Sequence, residues 1–200
     1  MDPARRQPEL NRGQRFYRIA SIFYLATAVA GLLWLGAQRG RLGIDLFVDP
    51  GTWWIDAGVG LATGALLLAF WWLLRRYVTA ARALEQELAR LLAPLTLAEA
   101  LSLALMSAVA EELFFRGALQ GALGFLPTAL IFALLHSGPG KSFRTWTLFA
   151  LVGGLILGTL VALRGPLGGA ILAHLVVNGV NLGRLARGGT RGPALDGEPA

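Results

Sequence analysis

No cysteine occurs in the 200 residues, which excludes disulfides, thiolate zinc sites and a cysteine nucleophile. Charge is scarce too: Asp, Glu, Lys and Arg make up 15% of the chain, against 55% hydrophobic residues. A soluble core of this size cannot enclose that much apolar surface, so the implied solvent is a lipid bilayer. No long polar stretch separates the apolar runs, and the chain reads as one domain with short tails. The formal net charge is +6, yet the basic residues lie between the apolar runs and not on one soluble face. That distribution argues against a nucleic-acid partner.

What is present is a series of apolar runs. Residues 1–15 are polar and arginine-rich and read as a disordered arm, 16–187 as a membrane-embedded helical domain, and 188–200 as a disordered tail. The first span runs from Phe16 to about Ala37. Ala28-Val29-Ala30 resembles a signal-peptide cleavage site, but the polar leader is long and the apolar run continues past it. The second span covers about Trp53 to Leu74, with Trp53, Trp54, Trp71 and Trp72 near its ends as interfacial anchors. Asp56 reads as a helix-start acid within reach of water. From Arg75 to Leu92 charges recur, while Val78, Ala81, Leu84, Leu88 and Leu91 form one apolar stripe, the pattern of an interfacial helix lying along the headgroups.

Thr96 and Glu99 form a capping box that opens a third span, Leu97 to beyond Leu119. The fourth covers about Leu123 to His136, with Pro127 in its first turn or kinking it, and is ended by the Gly-Pro run at 138–140. The fifth covers about Trp146 to Leu163, and Arg164-Gly165-Pro166 turns into the sixth, about Leu167 to Leu185. Gly117 with Gly121, Gly154 with Gly158, and Gly165 with Gly169 have the spacing of closely packed membrane helices. The fold class is therefore all-α: a polytopic membrane helix bundle of about six transmembrane helices plus one interfacial amphipathic helix. With alternating spans, fourteen of the eighteen basic residues fall on the side of the N-terminus, which predicts that both termini are cytoplasmic.

Ionisable groups at membrane depth are costly, and those that persist mark function. Glu111 and Glu112 follow the uncharged run 101–110. Glu112 and Arg116 share a helix face and can neutralise one another, whereas Glu111 has no partner on its own helix and suits a general base. Both histidines, His136 and His174, lie in apolar spans, and Asn178 follows His174 by one turn. A carboxylate and an imidazole can activate water while a second imidazole and an amide stabilise an oxyanion. Ser107, one turn before Glu111, pairs with no histidine in sequence, which favours water over a covalent nucleophile. Glu111, His136 and His174 are also sufficient for a catalytic zinc, although the helical HExxH spacing is missing.

Glu111-Glu112-Leu113-Phe114-Phe115-Arg116 resembles the EExxxR motif of the CPBP family, the CAAX-protease and bacteriocin-processing membrane proteins also called Abi. Phe132 to His136 resembles its FxxxH motif and His174 to Asn178 its HxxxN motif, in the family's order, over roughly residues 96–185. The resemblance implies a fold like the type II CAAX prenyl endopeptidases, with Glu111 and His136 activating water, His174 and Asn178 stabilising the oxyanion, and Glu112 and Arg116 in support. It implies an intramembrane endopeptidase acting on a membrane-associated or prenylated protein in a bacterial or archaeal cytoplasmic membrane, with no cofactor required, or with zinc in the metal-dependent version. A non-catalytic scaffold or immunity protein is the alternative, and a proton-coupled carrier a third reading, which the lack of an internal repeat disfavours. The membrane face from which the site is reached stays open at this point, because Glu111 lies past the middle of an outward-running span.

Overall fold

In lipid the backbone must satisfy its own hydrogen bonds, and helices do so within one segment. The structure is a computed structural model that describes residues 12–92 and 95–189, and no strand occurs among them. The elements are α1 (Arg12–Arg39), a short 3-10 turn (Ile44–Leu46), α2 (Trp53–Tyr77), α3 (Thr79–Leu92), α4 (Leu97–Glu111), a π-helical segment (Glu112–Leu119), α5 (Gln120–Leu123), α6 (Phe125–Leu135), α7 (Lys141–Arg164) and α8 (Gly168–Gly189). Helices α1, α2, α7 and α8 are each long and apolar enough to cross a membrane. The expected third span is the continuous run of α4, the π segment and α5. It opens on the expected capping box: Glu99 N–H donates to Thr96 Oγ1 at 3.2 Å, and Thr96 N–H to Glu99 Oε2 at 2.8 Å.

The fourth crossing differs from expectation. Gly124, with φ +87°, separates α5 from α6, Pro127 sits in the first turn, and α6 has only 11 residues. At 1.5 Å per residue that is about 16 Å, roughly half of a 30 Å hydrocarbon core. The remainder, 136–140, is non-helical and leads to α7, whose Ser142 reaches Glu87 of α3 at 3.0 Å.

Other expectations are also revised. Helix α1 begins at Arg12, so residues 12–15 of the predicted arm continue the first helix. Residues 1–11 and 190–200 lie outside the described residues, and 188–189 end α8. The stripe on α3 is covered by protein and not by headgroups: Ala81 and Leu84 are fully buried with Trp71 against Phe143, Trp146 and Phe149. Glu85 fastens α3 further, pairing with Arg75 of α2 and Arg184 of α8. Asp56 does not reach water. It is 4% exposed and accepts from Arg164 Nε at 2.7 Å, tying the start of α2 to the end of α7.

Of the glycine pairs, Gly154 and Gly158 pack against α6 and Gln120, and Gly117 against Leu35. Gly165 packs against nothing and is the turn, with φ +90°. The tightest helix contact lies elsewhere, where α2 crosses α8. A Cβ on Gly60 would stand 2.5 Å from the carbonyl oxygen of Gly169, and one on Gly64 2.9 Å from that of Ala173. Backbone cannot swing aside as a side chain can, so Gly60→Ala is expected to cost about 1–3 kcal/mol. Thermal unfolding in detergent checks this, as a midpoint several degrees below that of the unaltered protein. An unchanged midpoint would mean that the two helices are not in contact there.

Candidate active site

Helix α4 carries its regular spacing as far as Glu111, and at Glu112 the helix widens into the π segment. Such widenings are rare and cluster at functional sites. Here it turns two adjacent carboxylates to different tasks. Glu112 is 0% exposed, and its Oε1 accepts from Arg116 Nη1 at 2.8 Å and from His174 Nδ1 at 2.7 Å. The Arg116 guanidinium also lies 4.3 Å above the Phe132 ring, so the buried cation is balanced by a carboxylate and an aromatic face.

Glu111 faces the two imidazoles. Its Oε2 is 3.8 Å from His136 Nε2 and 3.8 Å from His174 Nε2, and this oxygen is buried without a hydrogen-bond partner. The other ring nitrogens determine what faces it. His136 Nδ1 lies 2.7 Å from the Phe132 carbonyl, and His174 Nδ1 contacts the Glu112 carboxylate. Both oxygens can only accept, so each Nδ1 carries the proton and donates. In the neutral rings, two Nε2 lone pairs and a carboxylate oxygen therefore converge. Three acceptors at this spacing require a hydrogen donor among them, and water is a donor small enough to serve.

Glu111, Glu112, Arg116, His136 and His174 thus come together from three helical stretches, with Glu112 doing more than expected because it holds His174 as well as Arg116. Phe132 supports its motif partner twice, through its carbonyl and through a ring centroid 4.4 Å from that of His136. Asn178 does not touch the Glu111 cluster. It donates from Nδ2 to Ser107 Oγ at 2.9 Å while lining, with His136 and His174, a cavity of about 60 Å³. Room for one water requires only about 10–15 Å³. This cavity shares Trp146, Phe149, Val177 and Asn178 with a second of about 110 Å³ that extends to Leu84, Glu85 and Leu88 of α3 and to Arg184. The two form a mainly apolar groove from the α3 end of the bundle to the imidazoles.

As a metal centre the set is wide. A tetrahedral zinc with bonds of about 2.0–2.1 Å places neighbouring ligands about 3.4 Å apart, and among the described residues no group of three His, Asp or Glu forms a set that could hold a metal ion.

Comparison with known proteins finds similarity over the stretch that carries this site. Residues 93–180 match the family described as Rce1-like, type II CAAX prenyl endopeptidase Rce1-like. The uncharacterized protein YpbD of Bacillus subtilis (strain 168) is 36% identical over 80 residues, a stretch that covers 39% of this chain and 41% of that protein. The shared region therefore spans about two fifths of that relative. No solved structure matches. Glu111, Glu112, Arg116, His136, His174 and Asn178 all fall in the stretch, residues 93–180, that is similar to the Rce1-like family of type II CAAX prenyl endopeptidases.

Proposed function

We propose that this protein is an intramembrane endopeptidase that hydrolyses a peptide bond of a membrane-associated or prenylated, CAAX-like substrate. The observation that supports this reading is the convergence of Glu111 Oε2 with the Nε2 atoms of His136 and His174, at 3.8 Å each. A water held there gives one hydrogen bond to Glu111 and one to His136, which turns an oxygen lone pair towards the scissile carbonyl. As the oxygen attacks, its proton passes to Glu111. The oxyanion receives hydrogen bonds from the Asn178 amide and from His174, whose Nε2 donates when the ring is doubly protonated. When the C–N bond breaks, the proton held by Glu111 goes to the leaving nitrogen. Glu112 and Arg116 take no part in the transfers; they hold His174 in place.

No metal is needed for these steps. The groove opens towards α3, beside Arg75, Arg82 and Arg184, and the excess of basic residues at that end makes it the cytoplasmic side. On this reading both termini are cytoplasmic, and substrate enters from the cytoplasmic leaflet of a bacterial or archaeal membrane. Purified protein in detergent is expected to cleave a farnesylated CAAX peptide or a hydrophobic peptide, at a rate that EDTA and 1,10-phenanthroline leave unchanged. Loss of cleavage with chelators, restored by zinc, would overturn the metal-free mechanism. Failure to cleave any such peptide would overturn the protease reading.

A further inference from the structure

The proposed oxyanion amide, Asn178, is held by a residue outside the three motifs. Ser107 is 2% exposed and donates its hydroxyl hydrogen to the Ala104 carbonyl at 3.1 Å. A serine hydroxyl has one hydrogen and two lone pairs, so Ser107 is left as an acceptor only. One lone pair takes the Asn178 N–H at 2.9 Å.

With its hydrogen given to a carbonyl, this hydroxyl settles which way the amide points. An asparagine oxygen cannot face Ser107, because Ser107 has no hydrogen left to give. The NH2 end must face it, and the second N–H of that group is then directed from a fixed origin on the wall of the cavity that Asn178 shares with His136 and His174. The same bonding explains why Ser107 is not a nucleophile: its proton is committed to a carbonyl, with no imidazole bonded to it.

We infer that Ser107 is a positioning residue for Asn178. The inference rests on the protease reading above.

A mutant cycle on cleavage of the farnesylated CAAX peptide tests it. Ser107→Ala is expected to lower kcat about 10- to 100-fold, the scale of a misplaced group, with KM within about twofold. The change is expected to be silent in an Asn178→Ala background, because the residue it acts through is gone. A merely structural role would reduce the rate by the same factor in either background, and that result overturns the inference. Thermal unfolding of Ser107→Ala, Asn178→Ala and the double variant needs no substrate. The double is expected to lose less than the two singles combined, and simple additivity counts against the bond. Glu111→Gln in the same assay separates the two readings. If it is inactive while Ser107→Ala cleaves normally, the inference alone fails. If it cleaves normally, the protease reading fails and takes the inference with it.

Discussion

Glu111→Gln is expected to lower kcat about 10²- to 10⁴-fold, the usual contribution of a positioned general base, while leaving the protein as stable as before or more so. The loss of rate follows because the amide keeps the shape of the side chain but cannot take a proton from water. The gain in stability follows from the surroundings. Glu111 is 8% exposed and its Oε2 has no hydrogen-bond partner within the protein, so folding must desolvate a carboxylate with only a held water to offset the cost. A glutamine amide can instead donate towards the two Nε2 atoms that face that oxygen. For a chain of this length each kcal/mol is worth about 2–4 °C in Tm, so a rise of a few degrees beside lost cleavage is the expected pair of results. A large fall in Tm would show that the acid braces the fold and does not serve chemistry.

Arg116→Met is expected to do the opposite and damage stability first. The guanidinium side chain is 1% exposed and that of Glu112 0%, and removing one member of a buried pair typically costs about 3–5 kcal/mol because the other charge remains. The stacking of Arg116 over Phe132 is lost as well. Tm in detergent is expected to fall by about 10 °C, using the same conversion. Replacing both partners, as Glu112→Met with Arg116→Met, is expected to recover most of that fall, since buried pairs exchanged for apolar side chains are often neutral. Cleavage is expected to stay lost in the double variant, because His174 Nδ1 then has no carboxylate to orient it. An Arg116→Met protein that melts like the unaltered one would show that the pair contributes nothing to folding.

Much of this was legible in the sequence because lipid makes the rules strict. Uncharged runs mark helices, and a carboxylate or imidazole inside one stands out, so Glu111, Glu112, His136 and His174 could be picked by their position alone. The capping box at Thr96 was equally plain, because both of its bonds are local. What escaped were features set by partners distant in sequence. Asp56 looked like a helix-start acid until Arg164, 108 residues away, was found against it. The α3 stripe has the periodicity of an interfacial helix whether lipid or Trp71, Trp146 and Phe149 cover it. The π segment carries no period that hydrophobicity reveals. Ser107 was noticed but set aside, since nothing in the sequence links it to Asn178. Glycines at 60 and 64 have the small-residue spacing and could have been read as a helix contact from the sequence.

The half-length of α6 has a consequence for wetting. The last carbonyls of a helix have no amide within it to bind, and lipid tails offer none. Near the end of α6, the Ala133 and Leu134 carbonyls are bonded by the amides of His136 and Ser137, and the His136 carbonyl by the Thr147 hydroxyl at 3.3 Å. Beyond them, residues 137–140 form an exposed turn outside any helix, so their peptide groups are open to hydration. A full-length helix in this place would present only side chains. By stopping short, the chain sets hydratable backbone directly after His136, on a path by which water reaches the site.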